Sequence, residues 1–345
     1  MLSPFVNLFE ENQPVALINL LALENNCKII KERLNGKLFC AVVKSNAYGH
    51  GLVECSRIIE KYCDYFAVAT LSEAVTLKSV GITKPVLCLL PINNIARAIE
   101  YGIEFVVHTH EYLTKVRNFC LKNKVCAKVH IAINTGMNRL GFDNISELEK
   151  VFISLDGLEV KGVFSHLYSV NDFIACTKQL NRFIPFSNYA KQRNSDIITH
   201  LASSASLYLN SNFLFDMARI GIAMYGYSAI NDTLGLKKVM KVLANRVQGR
   251  VVNLGENLLY GDYKLKDKQN LSLYAYGYAN GKREGIENML NNACMNICAV
   301  KGDNQPAVIM DDAQDFASRT STICYDVLTS LGNNCKRVYI YGDLS

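Results

Sequence analysis

The chain has 345 residues, half of them apolar, and a formal net charge of +6. That length exceeds one ordinary domain of roughly 100–200 residues, so a barrel of about 250 residues plus a smaller domain fits. The positive charge is scattered in clusters no longer than pairs such as Lys237-Lys238, which excludes a basic run that tracks nucleic acid.

No stretch approaches the roughly 18 uninterrupted apolar residues of a membrane span. Residues 1–14, MLSPFVNLFEENQP, lack the basic and apolar regions of a secretory leader. Of 12 cysteines, most sit in apolar strings (Cys40, Cys88, Cys126), where a free thiol behaves as a small hydrophobe. Cys294 and Cys298 have no second pair to complete zinc-type spacing. These features predict a cytoplasmic protein with reduced thiols and no metal.

Short apolar runs predict strands over 37–43, 65–70, 85–90, 105–108, 125–133, 158–166, 197–202 and 215–220. Amphipathic stretches between them predict helices. LVECSRIIEKY carries Leu52, Cys55, Ile58 and Ile59 on one face; SEAVTLKSVG reads as a helix capped by Ser72 and stopped at Gly81. NISELEKVFISL pairs Asn144 with Glu147 as a capping box. Eight strands alternating with helices predict an α/β fold, a (β/α)₈ TIM-type barrel over residues 1–236. Beyond it the rhythm changes. Runs at 239–253, 271–279, 294–300 and 307–310, with few helix patterns, predict a smaller, mainly β domain over 237–345.

The predicted strand ends carry chemistry. Lys44 follows the first strand, Asn134 to Arg139 the fifth, His166 ends the sixth, Ser203-Ser204 follow the seventh and Arg219 ends the eighth. Barrel enzymes build their sites on that rim. Lys44 ends an apolar run, and desolvation lowers an amine's pKa and readies it for a Schiff base with an aldehyde. The bland alternative is a lysine that snorkels to water. Tyr48, four residues on, could reach an anionic group, and Gly49 and Gly51 allow a tight turn.

At this point a family resemblance enters. AVVKSNAYGHG, residues 41–51, resembles the pyridoxal-phosphate motif of alanine racemases, AVVKANAYGHG, with one conservative difference at Ser45. NTGMNRLG (134–141) is similar to DTGMGRLG, and GVFSHL (162–167) to GVFTHF. DMARIGIAMYG (216–226), LYGDY (259–263), GYANG (277–281) and VIMDD (308–312) resemble further family segments in the family's order.

The resemblance implies a barrel followed by a β domain, pyridoxal 5'-phosphate as cofactor and exchange of L- and D-alanine, supplying D-alanine for peptidoglycan. It implies that Lys44 tethers the cofactor and acts as one base, with Tyr260 as the base on the opposite face of Cα. Tyr48, Ser203, Ser204, Gly221, Ile222 and Tyr225 would bind the cofactor, its phosphate above all. Arg219 would face the pyridine nitrogen and His166 would hydrogen-bond to Arg219. Arg139 would bind the substrate carboxylate with Met310, while Asp311 and the access-channel Tyr278 would line the approach. A homodimer with shared active sites is implied as well.

Guanidinium has no proton to give at ordinary pH, so the nitrogen beside Arg219 would stay unprotonated and the ring would be a weak electron sink. That favours quick reprotonation of Cα over transamination. Tyrosine titrates near 10 and must be tuned to act as a base; a cationic cluster of Arg219 and His166 would help.

The chain departs from the family at Ala132, where many members carry a carbamylated lysine that orients the substrate arginine. Arg139 would then be oriented by a bound anion or by Asn134, itself in place of an aspartate. Ser203 replaces an asparagine, Ile220 a proline, and a late tyrosine that many members place near the substrate has no evident counterpart. The competing readings are a racemase of another small amino acid such as serine, a decarboxylase on the same barrel plan and a non-catalytic cofactor carrier. Arg219 argues against the decarboxylase, and the second domain with Tyr260 against the carrier.

Overall fold

The computed structural model describes residues 6–9, 11–228, 230, 233–282, 284–302 and 305–342. After a 3₁₀ turn, Val6–Phe9, strand β1 (Val15–Asn19) runs directly into helix α1 (Leu20–Arg33). Next come β2 (Leu38–Val42), the single turn α2 (Lys44–Tyr48), α3 (Leu52–Ile59), β3 (Tyr65–Val68), α4 (Leu71–Ser79), β4 (Val86–Cys88) and α5 (Ile95–Glu100). They are followed by β5 (Glu104–Val107), α6 (His110–Asn123), β6 (Ala127–Ala132), α7 (Ile145–Ile153), β7 (Leu158–Phe164), α8 (Phe173–Arg193), β8 (Ile198–His200) and β9 (Met217–Ile220). The last third holds β10 (Met240–Ala244), β11 (Arg246–Val252), β12 (Gln269–Tyr274), β13 (Cys298–Lys301), β14 (Ala307–Met310), α9 (Ala313–Arg319), α10 (Cys324–Asn334) and β15 (Lys336–Ile340).

The eight predicted barrel strands are β2 to β9. They form one parallel sheet in the order β8-β7-β6-β5-β4-β3-β2-β9. The two sheet ends meet. Asp216 N–H donates to Thr199 O (3.0 Å) and Arg219 N–H to Ala202 O (3.1 Å), so the barrel is nearly closed. Strands β3, β4 and β5 are buried throughout, which is why they read, Glu104 apart, as apolar runs rather than as alternation. Helices cover the outside. Five of their starts, at Thr70, Asn94, Thr109, Asn144 and Asp172, carry side-chain caps. Asn144 accepts from Glu147 N–H (3.0 Å), but the Glu147 carboxylate accepts from Asp143 N–H (2.7 Å) rather than from Asn144, so only half of the predicted capping box forms. Helix α4 instead starts at Thr70, not Ser72, because Thr70 Oγ1 accepts from Glu73 N–H (3.3 Å) while Glu73 accepts from Thr70 N–H (3.1 Å).

The chain divides into two compact units: Glu24–Ser45 with Leu52–Leu236, and Met1–Leu23 with Asn46–Gly51 and Lys237–Ser345. Residues 1–23 therefore group with the carboxy-terminal unit rather than with the barrel. The reason is backbone pairing. Strand β1 lies antiparallel to β10 (Val15 opposite Leu243) and parallel to β15 (Val15 opposite Lys336), in a sheet of order β14-β10-β1-β15. A second sheet, β11-β12-β13, completes the mainly β unit. Two helices, α9 and α10, and strand β15 also lie here, where the sequence pattern predicts few helices. Among the described residues no helix is long and apolar enough to cross a membrane.

Candidate active site

Lys44 stands at the exit of β2. It is half-buried, and its amine is pulled below the ordinary lysine range first by desolvation and then by the Arg139 and Arg219 guanidiniums. The backbone then does something unusual. Ser45, Asn46, Ala47 and Tyr48 have φ of 53°, 57°, 54° and 53°, a complete left-handed turn. Each non-glycine residue in that region costs about 1–2 kcal/mol, so the surroundings must over-determine it. They do so with side chains. Asn46 Nδ2 donates to Asn333 Oδ1 (2.9 Å), and the buried His50 ring sits 2.9 Å from Ala47 O. Gly49, at φ 86°, closes on α10: a Cβ there would come within 2.5 Å of Leu328 O.

The barrel interior is organised on Arg219, which is buried on β9. Its Nη1 donates to His200 Nδ1 (2.8 Å) and His200 O (3.0 Å). Its Nη2 donates to Ser165 O (2.6 Å) and His166 Nδ1 (3.2 Å). These bonds account for four of the five N–H groups of the guanidinium and leave Nε–H. Burial draws the guanidinium down to about 10, still a cation at neutral pH. His166 is held at about 3 by desolvation and then by Arg219, so it is a neutral ring. The expected contact of His166 with Arg219 is present, but the cationic cluster meant to tune Tyr260 loses one member: His166 brings no charge.

Ser203 and Ser204 open a 3₁₀ turn after β8. The Ser204 hydroxyl oxygen accepts from Gly221 N–H (3.0 Å) and Ala223 N–H (3.3 Å), at the exit of β9. Ile222 and Tyr225 bound the 3₁₀ turn that follows β9 and are buried. With both acceptor positions of its oxygen engaged, the Ser204 hydroxyl keeps its O–H to give, which suits an anion. This is the strand seven and eight end of the barrel, where phosphate sites are built in such folds.

Arg139 lies on the loop that leaves β6. The loop folds back on its own strand: Asn134 N–H donates to Phe142 O (2.9 Å) and Phe142 N–H to Ala132 O (3.0 Å). Gly141 permits this, since a Cβ would come within 2.7 Å of the Ala132 backbone. Asn134 does not orient Arg139. Its amide donates to Asn138 (3.0 Å) and Asp143 (2.7 Å), and its oxygen accepts from Gly136 and Asn138 N–H, so it serves the loop. Arg139 is exposed and forms no ion pair among the described residues.

The remaining candidates belong to the second unit. Tyr48 is buried with its ring 5.9 Å from that of Tyr325. Tyr325 sits in the first turn of α10, and burial pushes its phenol up to about 12. It is a tyrosine of the last segment, and the fold brings it beside Tyr48. Tyr260 is 79% exposed on the turn after residue 258, where its carbonyl accepts from Asn291 Nδ2 (3.0 Å). Tyr278 is partly exposed in a 3₁₀ turn, and Met310 is buried at the end of β14. Asp311 is exposed and pairs with Lys241 at 3.5 Å. Three residues of the barrel interior escaped the sequence reading altogether: Glu104, His130 and His200. The signal was a polar residue inside or directly beside an apolar run.

Residues 18–229 match the family model described as alanine racemase, N-terminal domain. The chain is 32% identical to an alanine racemase of Clostridium novyi (strain NT), with 96% of this chain and 97% of that protein aligned. A solved alanine racemase from Clostridium difficile 630 superposes with a TM-score of 0.90 at 26% identity, over 96% of this chain and 97% of that one. Another, from Bartonella henselae and described with covalently bound pyridoxal phosphate, gives a TM-score of 0.83 at 25% identity, over 95% and 99%.

Proposed function

The chain belongs to the alanine racemase family of isomerases, and from that premise we propose that it interconverts L- and D-alanine with pyridoxal 5'-phosphate and two bases, Lys44 and Tyr260. The observation that carries this reading is the cationic rim of the barrel. Lys44, with its depressed amine, stands near Arg139 and Arg219, and the guanidinium of Arg219 has only Nε–H left to give.

The donor set suits the cofactor. The Ser204 hydroxyl, which accepts from Gly221 and Ala223 N–H, keeps its own O–H to give to a phosphate monoester, with Tyr48, Ser203, Gly221, Ile222 and Tyr225 as further candidates. Lys44 would hold the aldehyde carbon covalently. When bound, pyridoxal phosphate supplies the electron sink that makes the Cα proton removable. Arg219 Nε–H is the donor available to the ring nitrogen, and a guanidinium gives no proton there. Arg139 would hold the substrate carboxylate as a bidentate cation, with a backbone donor from Met310 of the second protomer in the proposed homodimer. A lowered pKa lets Lys44 take a proton near neutral pH; Tyr260 exchanges it on the opposite face. Asp311 and Tyr278 line the approach.

We further propose a homodimer in which Tyr260 of one protomer serves the barrel of its partner. The exposure of Tyr260 supports this. The role is D-alanine supply for peptidoglycan in the cytoplasm, in keeping with 12 free cysteines, ten of them buried.

Chiral analysis of L-alanine incubated with the purified, pyridoxal-phosphate-loaded protein tests the reaction. D-Alanine should accumulate to equal amounts, faster than D-serine forms from L-serine. No exchange with any small amino acid sinks the reading, and faster exchange of serine makes the protein a serine racemase. Mixing Lys44→Ala with Tyr260→Phe chains should restore part of the activity; no rescue after proven subunit exchange rejects the shared site.

A further inference from the structure

Four buried polar side chains cross the barrel interior in a line. Glu104 on β5 is 2% exposed, His130 on β6 and His200 on β8 are 0%, and Arg219 on β9 is 5%. Arg219 Nη1 lies 2.8 Å from His200 Nδ1, His200 Nε2 lies 2.9 Å from His130 Nδ1, and His130 Nε2 lies 2.8 Å from Glu104 Oε2.

The chemistry at the two ends dictates every proton between them. Guanidinium only donates, a carboxylate only accepts, and a neutral imidazole does one of each. Arg219 must donate to His200 Nδ1, so the proton of His200 is on Nε2. That proton must go to His130 Nδ1, so the proton of His130 is on Nε2 and is given to Glu104. Protonating His200 would set two donors against each other. Its pKa is accordingly well below the ordinary histidine value, through burial, Arg219 and His130.

We propose that Glu104, His130 and His200 are positioning residues, a one-way hydrogen-bonded relay that locks the Arg219 guanidinium in place and so selects which N–H it offers. The link to the ring nitrogen rests on the proposed function; the relay itself does not. Glu104 is then the buried counter-charge of Arg219, delivered through two neutral rings. A buried cation needs such a partner. Keeping it two imidazoles away balances the charge without putting a carboxylate beside the cofactor ring. A carboxylate that fixes an imidazole tautomer is an established catalytic device elsewhere.

The neighbouring packing is fitted to this line. Gly162 on β7 lies opposite His130, and a Cβ there would collide with His130 Nδ1, the atom that accepts from His200. Phe164 stacks on His200 (5.0 Å, 13°) and lies 5.2 Å under the Arg219 guanidinium. Tyr65 meets His130 edge-on at 6.3 Å.

The test is ¹⁵N spectroscopy of histidine-labelled protein, with and without pyridoxal phosphate. Both His130 and His200 should show a pyridine-type Nδ1 and a pyrrole-type Nε2. Glu104→Gln keeps an acceptor oxygen and should preserve the pattern. Glu104→Leu and Gly162→Ala should lose the single His200 tautomer. In loaded protein these two variants should lower kcat roughly 10–100-fold with little change in KM, as loss of supporting hydrogen bonds does. A protonated Nδ1 on His200 in the unaltered protein overturns the proposal even if no variant folds. So does an unchanged His200 tautomer in folded Glu104→Leu. Protein that never takes up pyridoxal phosphate instead rejects the functional reading and leaves the tautomer result intact.

Discussion

Arg219 and Tyr260 are both assigned to one reaction, yet the molecule treats them oppositely. Arg219 is 5% exposed, and two backbone carbonyls and two histidines hold its fork. Tyr260 is 79% exposed and held through its carbonyl by Asn291. On the proposed reading, one residue would carry stability and chemistry together, and the other would be chemistry placed on a turn. Substitutions should therefore separate the two properties at Tyr260 and fail to separate them at Arg219.

The largest expected effect is at Lys44, which sits between these extremes. Lys44→Ala should remove the yellow colour of pyridoxal-phosphate-loaded protein and cost about 10⁴-fold in racemisation, the upper range for a lost base. Absorbance and the chiral assay read both. Tyr260→Phe should cost about 10²–10³-fold in activity. Its thermal midpoint should stay put, because an exposed position changes stability by only about 0.5 kcal/mol. A large drop in midpoint would erase the contrast with Arg219.

Arg219→Met should lower unfolding free energy by about 3–5 kcal/mol in denaturant titration, since it leaves Glu104 buried without its cation. Acid sharpens the same comparison. His166 titrates at about 3 in the folded chain and about 6.5 when unfolded, so between these values the unfolded state binds more protons. Its stabilisation is complete above pH 6.5 and falls as pH drops toward 3, by up to about 1.4 kcal/mol per pH unit. His166→Asn should flatten the acid limb of a stability profile, whereas Tyr260→Phe should not. The smallest effect is Ala47→Gly. It relieves one left-handed residue and should raise stability by about 1 kcal/mol.

The barrel was legible because its strands are buried on both faces. YFAV and EFVV leave no room for another reading, and the helices between them carry caps. Strand β1 was not legible. VALIN is apolar and short, and nothing local says that its partners lie more than two hundred residues away in β10 and β15. Among site residues, Lys44, His166 and Arg219 stood at strand ends, where polarity after an apolar run draws notice. His130 and His200 fall inside the predicted runs 125–133 and 197–202, where a lone polar residue is easily passed over as a defect, and Glu104 falls just before the predicted run 105–108.

The sequence by itself determined the class of fold, the strand-end residues and, through AVVKSNAYGHG, the family. Local patterns suffice for these, because burial and motif spacing act over a few residues. Only the tertiary structure decided that Ser45 to Tyr48 turn with the left hand, that Asn134 serves its own loop and that Tyr325 meets Tyr48. It alone decided that a glutamate on β5 is joined to an arginine on β9 through two histidines. Those outcomes depend on which donor meets which acceptor across the barrel, and no spacing along the chain records that.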